Sequence, residues 1–501
     1  MVTVCFYLHV HQPLRLRKFS FFDIGNNSNY FDEEKNKFYI ERISKKSYIP
    51  TNKILLDLIH NTDGKFKVSF SITGVLIEQL EKYAPEVIES FKELVKTGNA
   101  ELIAETYYHS LAFLASIEEF KRQVELHKKK LKKVFNYKPK VFRNTELIYS
   151  NEIAKIVRSM GYKAILAEGA DHILKGRSPC FLYKAKDCDL KLLLRHYRLS
   201  DDVSFRFSRR DWEGFPLTAD RYAHWINMNN FNGKIVNLFM DYETFGEHQW
   251  KETGIFEFLK AMPFKILEHG DNFMTPSEII KSYKPVDELD VPTLVSWADI
   301  ERDVSAWLGN RMQKEAMRKL YSLEKNIIAT REEKLIKDWR LLQTADHFYY
   351  MCTKWFADGD VHKYFNPYDS PYDAFITFMN IMNDMNFRIR KILMKKSRGE
   401  KMRKKVIHTF LQDVPEDKCF WCVDGRVFRN IRDLAVALKE MSDETFRYHV
   451  NEVKNDFSNW IKDVIGDSTL AKTLLGVRDR KKAEKIVSKR IASIEKRLGM
   501  R

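Results

Sequence analysis

The sequence predicts an α/β chain built on a distorted barrel of about seven parallel strands, followed by helices. Three observations predict it. Short β-prone runs alternate with helical segments through the first 245 residues, which implies parallel pairing through right-handed crossovers. Candidate site residues follow nearly every run, as they do in parallel barrels, instead of gathering at one switch point. From Asn310 strand signals fade, and Leu341, Ala345, Phe348 and Cys352 recur three or four apart. The expected units are a barrel over 1–309, a helical subdomain over 310–396 and a small, mostly helical domain over 402–501.

Residues 2–11 alternate apolar and polar and end in His9-Val10-His11-Gln12-Pro13. His9 and His11 are two apart, so on a strand they share a face. Pro13 marks the strand's exit. Residues 14–50 show little periodicity and read as a long loop. A helix is expected over Pro50–His60 and a second strand over Phe66–Ile72. Pro85 opens a helix that Gly98 closes. The third strand is expected over Leu102–Thr106, leading into Tyr107-Tyr108-His109-Ser110. A basic helix comes next, over Ile117–Val134. The fourth strand, Val141–Asn144, ends at Glu146. Ser150 is the expected N-cap of a helix that Gly161 terminates. Ala164–Ala167 and Leu192–Arg195 are strands five and six, the latter followed by His196. Helix Thr218–Asn229 precedes the seventh strand, Lys234–Met240. Thr275-Pro276-Ser277-Glu278 is a capping box, and Val291–Trp297 is a further short element. Ser397-Arg398-Gly399-Glu400 resembles a linker. Beyond it Val406–Leu411 reads as a strand, and Leu434/Leu438 and Phe457/Ile461 fall at helix-face spacing.

No apolar run approaches the roughly 20 residues of a membrane span. The N-terminus lacks a basic segment and a small-residue cleavage site, so a cytoplasmic protein is expected. The net charge of +16 comes from 85 Lys and Arg against 69 Asp and Glu. The two signs are interleaved at helical spacing, which reads as solvated helix faces and not as a nucleic-acid surface. Only the tail, 478–501, is uniformly basic. Six cysteines are scattered, which argues against a disulfide framework. Cys419-Phe420-Trp421-Cys422 is a CxxC with no second pair to complete a zinc site, and ordinary thiols are the simpler reading.

The chemistry concentrates in two places. Glu146 follows Val141-Phe142-Arg143-Asn144-Thr145 at a strand end. Asp241 follows the apolar run Ile235–Met240, with Glu243, Glu247 and His248 close behind. Taken alone, each acidic residue reads as a solvated loop or turn. Taken together, they are the two carboxyl groups of glycoside hydrolysis, one to attack and one to donate a proton. Crowding is expected to raise the pKa of a general acid at Asp241. His9, His11 and His109 suit hydroxyl groups around a bound sugar ring. The same His-x-His is the pattern of amidohydrolase-type metal enzymes, with His109, His196 and Asp241 to complete a set. Trp212, Trp250, Trp297 and Trp307 lie in loop-rich stretches where an indole can stack on a sugar, although tryptophans are more often core.

These motifs in combination resemble glycoside hydrolase family 57 over about residues 2–390. His11-Gln12-Pro13 matches the family's first signature, and Gly98-Asn99-Ala100-Glu101 with Tyr107-Tyr108-His109 the second. Glu146 sits where the third signature carries the nucleophile. Met240-Asp241-Tyr242-Glu243-Thr244-Phe245-Gly246 matches the fourth, whose Asp is the acid/base. Thr275-Pro276-Ser277-Glu278, Trp297-Ala298-Asp299 and Ser305-Ala306-Trp307-Leu308-Gly309-Asn310 match the fifth signature and the family pattern beyond it. One departure is Arg143-Asn144-Thr145, where many members have a tryptophan before the nucleophile. The resemblance implies an incomplete (β/α)7 barrel with a helical region. It implies a retaining α-glucan hydrolase of α-amylase type, cleaving α-1,4 bonds with no obligatory metal or cofactor. A 4-α-glucanotransferase would use the same site. From other classes, a metal enzyme using His9 and His11, or a non-catalytic glycan-binding protein, remain alternatives. Substrate contacts are expected from His9, His11, His109, Trp212, Glu243, His248, Trp250, Trp297 and Trp307, and the partner is an α-glucan, with neither nucleic acid nor membrane.

Overall fold

The computed structural model describes residues 1–231, 233–354 and 366–500, and of 398–405 only the backbone. The expected helical region over 310–396 therefore lies in part, at 355–365, outside the described residues. Two compact units divide the chain, Met1–Arg388 and Ile389–Arg501.

In the first unit ten strands form one sheet: β1 (Thr3–Val10), β2 (Val68–Ile72), β3 (Ala100–Leu102), β4 (Val141–Arg143), β5 (Ala164–Glu168), β6 (Tyr183–Ala185), β7 (Lys191–Arg195), β8 (Ile235–Asp241), β9 (Asn272–Phe273) and β10 (Glu288–Leu289). β1 pairs in parallel with β2 on one side and with β8 on the other, the latter from Thr3–Ile235 to His9–Asp241. β2 continues to β3. A single bridge, Ala104 to Phe142, leads on to β4. β4, β5 and β7 pair in parallel, and one residue pair, Arg195 with Asn237, returns the ring to β8. Seven parallel strands thus close a ring with two seams one pair wide. This is the distorted seven-stranded barrel expected from the strand pattern, and the incomplete (β/α)7 barrel that the resemblance implies.

The alternation of apolar and polar residues expected over 2–11 does not divide a buried face from an exposed one. In β1 every residue is buried. Val4, Phe6, Leu8 and Val10 pack outward with helix residues Leu55, Leu76 and Phe91. Cys5 and Tyr7 point inward to Val141, Leu166, Leu193 and Phe239. His9 continues the inward set two residues on, where the barrel opens.

Several expected elements differ. β3 ends at Leu102, because Ile103 N–H still bonds the Phe70 carbonyl while Ala104 N–H turns to Val141. The backbone changes partner strand there, and residues up to Thr106 leave the ladder. Residues 14–50 are not one loop: Glu33–Ile43 is a helix capped by Asp32, and Ser44–Tyr48 is a π-helical turn. The short element expected at Val291–Trp297 is neither helix nor strand, although Val295 bridges Tyr149 in antiparallel fashion. Helix Pro371–Thr409 runs through the expected linker Ser397–Glu400 and into the strand expected at Val406–Leu411. Its Lys, Met and Arg are strong helix formers, and one glycine costs only about 1 kcal/mol.

The second unit has its own core of Leu434, Leu438, Phe446, Phe457, Ile461 and Val487, so both expected helix faces are buried. Helix Ile431–Glu440 packs on Arg480–Leu498, the basic tail. Cys419 and Cys422 are both free thiols.

One contact of the barrel rim is directly testable. Thr73 caps helix Gly74–Tyr83, and a Cβ at Gly74 would run into the ring of Tyr107. Gly74→Ala is expected to lower unfolding free energy by about 1–3 kcal/mol through overpacking, read by denaturant titration.

Candidate active site

The pocket lies at the C-terminal ends of the strands and has a volume of about 70 Å³. His9 from β1, His109 after β3, Glu146 after β4, Asp241 at the end of β8, and Glu243 and His248 beyond it line it with His11 and Trp297. Eight of the eleven residues expected from sequence therefore converge.

Glu146 is fixed from both sides. His109 Nε2 lies 2.7 Å from its Oε1, and Trp297 Nε1 donates to its Oε2 at 2.6 Å. Backbone closes the same contact, because Trp297 N–H donates to the Glu146 carbonyl at 3.3 Å. His109, Glu146 and Leu147 all have positive φ, at 49°, 57° and 52°. That is the left-handed region, which costs a side-chain-bearing residue energy and clusters at functional sites. Here it accompanies the turns that bring His109 and Glu146 to the pocket.

Three imidazoles stack across the floor. Ring centroids are 4.1 Å apart for His11 and His109, and 4.9 Å for His9 and His109. His9 stands between two carboxylates, with Nδ1 3.5 Å from Asp241 and Nε2 3.4 Å from Glu105. Glu105 also faces His109 Nδ1 at 3.5 Å and Arg143 Nη1 at 3.7 Å. His11 reaches Thr73 Oγ1 at 2.9 Å and Asp346 at 3.1 Å.

The protonation states follow from this geometry. Burial alone would discharge His109, but Glu105 and Glu146 push it up to about 9. Burial and the neighbouring His109 lower His11 to about 4. Burial favours neutral Glu105, yet His9, His109 and Arg143 hold it ionised well below its ordinary range. The expected rise at Asp241 is not found. Burial raises it, but His9 outweighs burial and the net direction is down. Burial and the Asp241 charge instead raise Glu243, to about 8. Glu243 accepts from Tyr48 Oη and from Gln12 Nε2.

Among the described residues two groups of donors could hold a metal ion: His9 with Glu105 and His109, and His11 with His109 and Asp346. In each, the donor atoms lie within 4.8 Å of one another. The Arg143 guanidinium beside Glu105 opposes a further cation in the first group. His196 is outside both groups and caps helix Tyr197–Ser204.

Three tryptophans fall elsewhere. Trp307 is 1% exposed in the core. Trp212 packs edge-on against Trp225, and Trp250 lines a separate cleft. The indoles that stay out of the pocket are the ones apolar packing or an outer loop has claimed. Sequence reasoning missed Glu105, Asp346 and Tyr350. Glu105 stands in Ala-Glu-Thr-Tyr with no motif of its own. Asp346 lies on helix Ala345–Tyr349, 335 residues from its partner His11.

A family model described as "Glycosyl hydrolase family 57" matches residues 5–292. A protein of Methanocaldococcus jannaschii named "Putative alpha-amylase" is 46% identical over 421 residues, covering 81% of this chain and 88% of that protein. The chain belongs to glycosyl hydrolase family 57. An alpha-amylase of Pyrococcus horikoshii is 27% identical over 177 residues, and the match spans only 24% of that longer protein. The crystal structure of the 4-alpha-glucanotransferase of Thermococcus litoralis shares the fold, with a TM-score of 0.56 and 17% identity. That likeness covers 77% of the family 57 chain and 60% of the solved one.

The charge state of His109 in this family 57 pocket can be read by ¹⁵N NMR. The imidazolium is expected to persist to about pH 9, and Glu146→Gln to move its titration downward by removing a paired carboxylate. An unchanged titration would mean that Glu146 does not set the charge.

Proposed function

We propose that the chain is a retaining α-glucan hydrolase of α-amylase type, with Glu146 as nucleophile and Asp241 as general acid/base. The observation that carries this reading is the convergence of the two carboxyl groups on one pocket, from the ends of β4 and β8. The names of the relatives, amylases and glucanotransferases, support α-glucan as the substrate class.

Each step has its residues. The Glu146 carboxylate, oriented by His109 and Trp297, attacks the anomeric carbon. Asp241 protonates the leaving oxygen and later takes a proton from water or a sugar hydroxyl. At neutral pH Asp241 and Glu243 hold one proton between them, and in the free protein it rests on Glu243. A bound glucan shuts water out and raises the proton affinity of Asp241, which takes up the proton it then donates, while protonated Glu243 adds no second negative charge beside it. Hydrolysis and transfer share this glycosyl-enzyme and differ only in which acceptor wins. The metal-dependent alternative draws on the two donor groups above.

Residues 402–501 we take as an accessory domain with its own core. Truncation before it should leave soluble protein with turnover intact. No described helix is long and apolar enough to cross a membrane. The six free thiols suit a cytoplasmic setting.

Glu146→Gln and Asp241→Asn are each expected to lower starch turnover at least about a thousandfold, beyond what loss of one orienting contact would produce. Proton NMR of fresh product should show retained α-configuration, and EDTA should leave the rate unchanged. Inversion, or loss of activity to chelation, would overturn the assignment. Products longer than a maltotetraose substrate would identify transfer. The pH dependence has a definite sign. Glu243 must keep its proton and His109 its charge, and both are lost as pH rises. kcat/KM should therefore fall across pH 8 to 9. A profile flat through that range would remove both groups from the mechanism.

A further inference from the structure

Beside the candidate active site lies a second, much larger cleft of about 1110 Å³. We propose that it is a binding site for a further stretch of α-glucan chain, with the exposed face of Trp250 as its stacking platform. The proposal rests on the α-glucan reading above.

The catalytic pocket is too small to bind a polymer by itself. At about 70 Å³ it falls well below the roughly 300–1,000 Å³ of small-molecule sites, whereas the second cleft matches that scale. Trp250 is 54% exposed, although buried aromatics dominate the rest of the barrel. A large indole face held in a concave surface marks a binding surface and not a core. Phe256, 6% exposed, backs the same cleft.

The lining chemistry selects the ligand. Five lysines and three carboxylates face the cleft. Lys260 is within 3.7 Å of Glu257, and Lys46 lies 5.9 Å from the Trp250 ring centroid. A polyanion would need converging, unopposed cations. The interleaved signs, with Asp57 and Glu257 beside Lys53 and Lys260, leave no such cluster and instead offer both donors and acceptors. A neutral polyhydroxyl chain uses both, and its apolar ring faces match the indole.

The two cavities share a wall. It consists of the π-helical turn Ser44–Tyr48 packed on the turn Tyr242–Thr244 that follows Asp241. On the pocket side Tyr48 Oη donates to Glu243. On the cleft side Lys46 and Gly246 form the lining. Gly246 has φ +99°, and a Cβ there would run into the Lys46 carbonyl. The layers therefore touch directly, and one loop carries Glu243 and His248 of the pocket and Gly246 and Trp250 of the cleft.

The test measures glycogen affinity of the full chain by affinity electrophoresis, in a Glu146→Gln background so that glucan is not consumed. Maltotriose affinity is measured alongside by calorimetry. Trp250→Ala is expected to weaken glycogen binding about tenfold, the effect of truncating an aromatic anchor, with maltotriose affinity unchanged. Trp250→Phe keeps an aromatic face and should retain most of the binding. Because Trp250 is largely exposed, its truncation leaves the core intact, and a thermal melt checks this. Glycogen affinity unchanged in Trp250→Ala would overturn the proposal. An equal loss of maltotriose affinity would also overturn it, by placing Trp250 in the pocket. If the unaltered chain neither binds nor turns over any α-glucan, the α-glucan reading itself fails.

Discussion

A charged imidazole buried between two carboxylates is the constraint on which the rest of the site depends. His109 is 1% exposed, yet Glu105 and Glu146 keep it protonated. Such an arrangement is stable only if every partner is held in place, since a buried charge without its counter-charge costs several kcal/mol. The structure supplies that hold through backbone. Ala345 N–H donates to the His109 carbonyl at 2.8 Å, and Ser110 bridges Thr344. The helical residues after 310 thus anchor the loop after β3. They also supply Asp346 to His11, which accounts for how a segment far along the chain becomes part of the pocket wall.

The same pairing separates the roles of neighbouring carboxyl groups. Asp241 and Glu243 are two residues apart, and crowding alone would raise both. His9 breaks the symmetry, because it lies against Asp241 while Glu243 accepts from the neutral donors of Tyr48 and Gln12. One carboxyl group is therefore held charged and the other neutral, from environments a few ångströms apart. Sequence spacing can show that carboxylates are crowded. It cannot show which one a histidine 232 positions earlier will touch.

That limit describes what was legible in the sequence generally. Barrel strands were readable because both faces are buried, so β8 appears as a near-continuous apolar run. Helix starts were readable where capping chemistry is local, as at Ser150 and at the Thr275–Glu278 box. His9, Glu146 and Asp241 were readable because each stands at or just after the end of an expected strand. Glu105 was not, since its strand gives up its ladder at Ala104 and the glutamate falls in irregular backbone. Tryptophan was the least informative residue. Trp297 and Trp307 are ten residues apart in similar surroundings, and one meets Glu146 while the other is core.

What singles out Trp297 is a clamp that only the folded chain assembles. Its ring lies 5.1 Å from the Arg143 guanidinium and 5.7 Å from that of Arg195. Arg302 Nη1 donates to its carbonyl, and Arg302 and Arg195 share Glu168 and Asp201 as counter-charges. Arg195 in turn donates from Nε to the Phe239 carbonyl at 2.8 Å, across the narrow seam between β7 and β8. A strand pairing of one residue would leave this flank of the barrel weak. The buried arginine network fills that gap and uses the same contacts to present an indole N–H to Glu146. The incomplete barrel and the position of its candidate nucleophile are in this way one structural solution: the seam that ladder hydrogen bonds leave open is closed by charged side chains, and those side chains set the geometry of the site.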